Sequence, residues 1–135
     1  PMPFSCELTI PSETSKLAPL REWLASVQGL VGEELFPKRA LFPCTIALVE
    51  AVDNAIFHAH DENGEKPISI SLRLNGKGIT MDIGDCGCGM KNVAADIPDE
   101  MSDRGRGLFL MNRLMTRVES LVIDGNHRIR MEYEI

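Results

Sequence analysis

Pro-Cys-Thr-Ile-Ala-Leu-Val-Glu-Ala-Val-Asp-Asn-Ala-Ile-Phe-His-Ala-His, residues 43–60, is the stretch on which the reading of this chain turns. Ile46, Leu48, Val49, Val52, Ala55 and Ile56 cover most of a helical circumference, which predicts a largely buried helix. Glu50, Asp53, Asn54 and His58 interrupt that surface. Residues three and four apart are neighbours on a helix, so the four share one stripe. A carboxylate and an amide buried on an apolar helix cost several kcal/mol, on the order of 2–7 for an amide-like group, unless something pairs with them. The stripe therefore calls for a partner: a ligand, a metal or another polar segment.

Outward from this helix the pattern is regular. Residues 4–10 alternate as a half-buried strand does, and Pro11 stops it. Ser12 or Thr14 is placed to cap a first helix that carries Leu17, Leu20, Trp23, Leu24 and Val27 on one face, runs to about Gln28 and ends at Gly29. Residues 30–42, with helical pieces around Pro37, read as a connector leading into the central helix. On the other side, 61–66 is a polar loop, and Ile68, Ile70, Leu72 and Leu74 alternate with polar residues as a strand. Asn75-Gly76-Lys77-Gly78 is a hairpin turn, with Ile79, Met81 and Ile83 on the returning strand. Residues 84–104 lack sustained periodicity and read as a long loop, a feature that tends to be functional in compact domains. Gly105-Arg106-Gly107 opens another apolar helix, and 118–123 and 129–135 form a last hairpin across residues 124–127. The order predicts one domain, 1–135: an α+β two-layer sandwich with a mainly antiparallel sheet of about five strands and helices on one face.

Composition narrows the function. The 135 residues suffice for a core without metal or disulfide support. A net charge of −6 argues against direct nucleic-acid binding. No apolar run approaches the roughly 20 residues that span a bilayer, so no membrane partner is expected. Neither end resembles a signal peptide, and Met2 is the expected start. Cys6, Cys44, Cys86 and Cys88 do not make a disulfide framework in a chain this size, which points to reduced thiols and a cytoplasmic location.

Three segments carry chemistry. Asn54 offers an oxygen to a hard cation such as Mg²⁺, and Glu50, one turn earlier, is placed to take a proton from a hydroxyl or a water. Asp85-Cys86-Gly87-Cys88-Gly89 ends a strand in an acid that can accept a hydrogen bond from an amino group, with Gly87 and Gly89 leaving room for a flat ring. Arg104-Gly105-Arg106-Gly107 stands at a helix start, where backbone N–H groups and arginines favour an anion. Each has a plainer use as a solvated face, a turn or a helix cap. Their joint occurrence, separated by a hairpin and a long loop, is what favours a site. His58, His60, Cys86 and Cys88 make a poor zinc set: cysteines of structural sites are more often two to four apart, and residues two apart on a helix point different ways.

Glu50-x-x-x-Asn54-Ala55-x-x-His58, Asp85-x-Gly87-x-Gly89-Met90 and Gly105-x-Gly107-Leu108-x-Leu110-Met111 resemble the N, G1 and G2 boxes of the Bergerat-fold ATPases, the superfamily of gyrase, histidine kinases and MutL-like proteins. The leading strand and helix and the Gly-Arg-Gly-Leu-Phe-Leu-Met run are most similar to the bacterial anti-sigma factor serine kinases. The resemblance implies ATP and Mg²⁺ as cofactors, Asn54 as the metal ligand and Glu50 as catalytic base. It implies that Asp85 binds the adenine amino group beside Gly87 and Gly89, that Gly105 and Gly107 lie against the phosphates, and that 90–104 is an ATP lid with basic Arg104. His58, Met90, Arg106 and Leu108 fall within the same nucleotide-binding boxes. Gly125-Asn126 departs from the family's Gly-Thr, and Cys86 and Cys88 have no role in its pattern.

The implied activity is that of an ATP-dependent protein serine kinase in a partner-switching system. It would hold a sigma factor or similar regulator and phosphorylate a serine of an anti-sigma antagonist; a homodimer is common in the family. One alternative is a module that binds ATP or ADP and only sequesters a partner. Another is the catalytic module of a histidine kinase, although nothing resembles a two-helix dimerisation segment with a phosphoacceptor histidine.

Overall fold

A computed structural model of the chain describes residues 2–59, 67–85, 103–123 and 126–135. Five strands form one sheet: β1 (Phe4–Pro11), β2 (Pro67–Leu74), β3 (Gly78–Asp85), β4 (Arg117–Ile123) and β5 (Asn126–Glu134). Their order is β1-β2-β3-β5-β4, and every neighbouring pair is antiparallel. Helices α1 (Leu17–Val31), α2 (Lys38–Asn54) and α3 (Asp103–Leu114) complete the described elements together with two short turns.

The sheet's alternation explains the layers. Cys6, Leu72, Met81, Met131 and Val118 lie opposite one another across all five strands, and Leu8, Ile70, Ile83 and Ile129 form the next row. These side chains meet Leu20, Leu24, Leu48, Val52, Ile56 and Met111 of the helical layer in one continuous core. Each such aliphatic side chain removed from water stabilises the fold by about 1.5–3 kcal/mol before the entropy of ordering is counted. The alternate residues make a polar face, with Ser71, Asp82, Arg130 and Glu119 in register.

The hairpin between β2 and β3 closes as its sequence requires. Gly76 takes a φ of 89°, and the Asn75 side chain accepts hydrogen bonds from the backbone N–H of Lys77 and Gly78 at 2.8 and 3.0 Å. Asn126 and His127, expected in the last turn, belong to β5 and pair with Ile123 and Val122.

Helix boundaries differ from the expectation in five places. The chain first winds as a 3₁₀ turn (Thr14–Lys16); the N-cap positions fall at Glu13 and, for α1, at Lys16, neither with a side-chain cap, so neither Ser12 nor Thr14 is the N-cap residue of α1. Gly29 lies inside α1; the helix ends at Gly32, whose φ of 89° suits only glycine well. Buried Gln28 then donates from Nε2 to the Phe36 carbonyl at 2.9 Å and ties the following turn to the helix.

α2 begins at Lys38, not Pro43, so residues 38–42 of the expected connector are helical. Pro37 is the N-cap, and the Lys38 N–H donates to the Glu33 carboxylate at 3.1 Å. Pro43 sits in the helix and leaves the Arg39 carbonyl without its usual donor, a loss tolerated this near the end. Nor does the α-helix continue to His60: it ends at Asn54 and passes into a π turn, Ala55–Ala59. α3 begins at Asp103, two residues ahead of Gly105, and β3 extends through Gly84 to Asp85.

Lys38–Phe57 is long and apolar enough to cross a membrane by length and composition. This corrects the expectation that no apolar run approaches that length. Ala40, Cys44, Ala47, Leu48, Ala51, Val52 and Ile56 within it are buried in the core, as in the central helix of a layered fold, whereas Phe42 and Phe57 are exposed.

Candidate functional site

The apolar face of α2 fixes the direction of its polar residues. Val49, Ala51 and Val52 are buried, while Glu50 and Asn54, one turn apart, are half-buried at the edge of that face. α3 packs against α2 there and presents Gly107. A Cβ built on Gly107 would lie 2.6 Å from Oε1 of Glu50, 3.6 Å from its Cδ and 3.8 Å from Oδ1 of Asn54. A carboxylate and an amide oxygen thus converge on one glycine of the facing helix. Two of the three sequence boxes meet at this point.

The third box is reached through the backbone. The π turn that follows Asn54 packs against β3, and β3 ends in Asp85, opposite Ile68. π turns are rare and occur often at functional sites, where they alter the helical register. His58 lies within this turn, so the α-helical spacing that put it on the Glu50–Asn54 stripe does not hold beyond Asn54. The side chains of His58, Asp85, Arg104 and Arg106 lie outside the described residues, as do Gly87, Gly89, Met90, Cys86, Cys88, His60 and the expected lid as far as residue 102.

Gly105 and Gly107 are the third and fifth residues of α3, not a loop before it. Gly107 is therefore past the turn in which helix N–H groups lack carbonyl partners. Leu108 is half-buried against the core, where it anchors α3 together with buried Met111 and Met115.

The donor set at the α2–α3 contact has hard-oxygen character. Mg²⁺ takes few protein oxygens and completes its shell with phosphates and water. An amide oxygen beside a carboxylate, next to the glycine-bearing first turns of a helix, fits both that ion and a phosphate chain. Among the described residues no group of three or more His, Cys, Asp or Glu side chains gathers as a metal site. Cys6 and Cys44 are free thiols. Burial pushes the Cys44 pKa up to about 12 and raises that of Cys6, so both are poor nucleophiles at neutral pH.

A second charged cluster was not anticipated. On the polar face of the sheet Asp82, its side chain only 6% exposed, accepts hydrogen bonds from Arg130 Nε at 2.7 Å, Arg130 Nη2 at 3.2 Å and Arg73 Nη1 at 3.3 Å. Burial alone would raise the Asp82 pKa; Arg130 and then Arg73 outweigh it and hold the carboxyl below its ordinary value. Alternation put Asp82 on the polar face, but only the strand order brings Arg130 beside it.

Residues 10–133 match the family described as the histidine kinase-like ATPase domain. The chain belongs to that family. The resemblance read from the three boxes is thereby shown, and the five-stranded α+β sandwich is the family's Bergerat-type fold. A curated relative, "Serine-protein kinase RsbW" of Halalkalibacterium halodurans, is 29% identical over 126 residues, which cover 87% of this chain and 75% of that protein.

Solved members of this fold superimpose along nearly the whole chain. The RsbU and RsbW domains of Rv1364c from Mycobacterium tuberculosis align with a TM-score of 0.62 at 12% identity, over 97% of this chain and 32% of that one. The histidine kinase domain of the blue-light activated histidine kinase from Erythrobacter litoralis EL346 aligns with a TM-score of 0.58 at 13% identity, over 92% of this chain and 61% of that one. The chain thus spans about a third of the mycobacterial chain and three fifths of the light-activated one. These ATPase domains share the fold, and at such identities the fold is what the likeness shows.

Proposed function

We propose that this member of the histidine kinase-like ATPase family is an ATP-dependent protein serine kinase of the cytoplasm. In this reading it acts as an anti-sigma factor in a partner-switching system and phosphorylates a serine of an anti-sigma antagonist. The observation that carries the proposal is the convergence of Glu50 Oε1 and Asn54 Oδ1 on Gly107. The RsbW relative, a serine-protein kinase by name, supports serine as the acceptor.

Asn54, with its amide oxygen, would hold Mg²⁺, and Asp85 the adenine amino group; bound Mg²⁺ supplies neutralisation of phosphate charge. Glu50, one turn from Asn54, accepts the proton of the seryl hydroxyl as its oxygen bonds to the γ-phosphorus, and ADP leaves with the electrons of the broken P–O bond. The half-buried setting of Glu50 limits water as a competing acceptor. Arg104 and Arg106, in the first turn of α3, add donors for the phosphates.

The test is incubation with γ-labelled ATP, Mg²⁺ and a purified candidate antagonist. The expected product is an acid-stable phosphoserine on the antagonist. Acid-labile label on histidine would instead assign the histidine-kinase chemistry, and saturable ATP binding with no transfer would leave a sequestering module.

A further inference from the structure

Gly107 occupies a place where nothing in the backbone requires glycine. It lies inside α3, its φ is outside the left-handed region, and alanine would be the better helix former. What the position lacks is room. The 2.6 Å between an added Cβ and Glu50 Oε1 is far inside van der Waals contact, whereas the 3.8 Å to Asn54 Oδ1 is ordinary contact. The obstacle is the far end of a flexible side chain, so a methyl group there displaces the carboxylate rather than the helix backbone or Asn54.

We propose that Gly107 is a positioning residue for Glu50: by carrying no side chain it lets the carboxylate rest against α3 and fixes where its oxygen meets the acceptor hydroxyl. The inference rests on Glu50 being the base of the proposed kinase. It separates Gly107 from a phosphate-cradling glycine, whose loss would be read in nucleotide affinity. A glycine kept for space beside Glu50 is read in turnover.

The experiment compares the full chain with its Gly107→Ala variant in kcat, KM for ATP, calorimetric ATP affinity and Tm. A misplaced catalytic group costs on the order of 10²-fold, so kcat is expected to fall by about that factor. ATP affinity should stay within about threefold, because uniform binding is untouched. Unchanged kcat, or an affinity loss as large as the kcat loss, overturns the proposal.

A second arm introduces Gly107→Ala into a Glu50→Ala background. With the carboxylate gone, alanine should raise Tm by about 3 °C more than it does in the wild-type chain. Equal Tm changes in the two backgrounds overturn the contact itself. Absence of any phosphotransfer by the wild-type chain would end the kinase reading and the positioning role with it, while the Tm arm would still report the contact.

Discussion

Among the described residues, two buried glycines surrender their Cβ space to a charged side chain. Gly107 on α3 faces the Glu50 carboxylate, and Gly84 on β3 lies under the Arg128 guanidinium. Around Gly84 the chemistry closes on itself. Arg128 donates to Ser69 Oγ at 3.3 Å, and two residues earlier on β3 Asp82 receives Arg130 and Arg73. Opposite charges across neighbouring strands complete one another there. At Gly107 the two groups brought together, a carboxylate and an amide oxygen, are both acceptors, the arrangement suited to a hard cation and a hydroxyl proton. The first cluster ties neighbouring strands together; the second, in the proposed mechanism, supplies the base and the metal ligand.

The contrast breaks most sharply at Glu50. Glu50→Gln preserves size but removes the proton acceptor, and general-base catalysis contributes about 10²–10⁴-fold. Phosphotransfer is expected to fall by roughly 10³-fold while calorimetry shows ATP affinity nearly unchanged. Full transfer by Glu50→Gln would remove Glu50 from the mechanism. Asn54→Ala comes next. Loss of even an outer-shell partner of a metal costs roughly 10–100-fold, so Mg-ATP affinity is expected to drop by about 10²-fold. Chelation should then weaken nucleotide binding in wild type and leave the variant unmoved; equal sensitivity to chelator would count against Asn54 as ligand.

Most of this architecture is legible in the order of residues. Period-two runs such as Ile68, Ile70, Leu72 and Leu74 specify strands because a half-buried sheet requires that alternation. Glu50 and Asn54 stand out because polar groups on a buried helix are costly. Helix ends are less legible, since proline and glycine each carry several meanings. The expected start at Pro43 gives way to Pro37, and the expected stop at Gly29 to Gly32, which takes the positive φ. The π turn after Asn54 leaves no mark in the hydrophobic pattern, because Ile56 is buried in either winding. Nor does a local pattern report the partner in a glycine's missing Cβ space. Glu50 and Gly107 are 57 residues apart, and only the packing of α2 on α3 reveals that one needs the other to be small.

On the sheet side the expected effects appear in stability. Asp82→Asn removes the charge that two arginines share, but both are partly exposed, at 32% and 48%, so the cost is set at about 1–2 kcal/mol, below that of a fully buried pair. Urea denaturation checks this, and activity per folded molecule should not change. The folded pKa of Asp82 lies below the ordinary 3.8, so its contribution is fully present above that value and is lost as pH falls through the depressed folded pKa. Wild type should therefore lose its advantage over Asp82→Asn in acid, and a stability difference that persists undiminished at the lowest pH would contradict the ion pair.

Gly84→Ala is the smallest perturbation and the direct counterpart of Gly107→Ala. The added methyl meets the Arg128 guanidinium, again the end of a flexible side chain, so the arginine swings away and the strand stays. Alanine suits a strand interior better than glycine, while the bond from Arg128 to half-exposed Ser69 contributes about 0.5–1.5 kcal/mol, so the two nearly cancel. The expected result is a Tm within about 3 °C of wild type. Arg128→Ala combined with Gly84→Ala should be additive with respect to neither single change, since each removes the same contact. Phosphotransfer should be unaltered throughout. A large kcat loss from Gly84→Ala would mean that this end of β3, next to Asp85, feeds the reaction after all, and the division between a structural glycine and a positioning one would have to be redrawn.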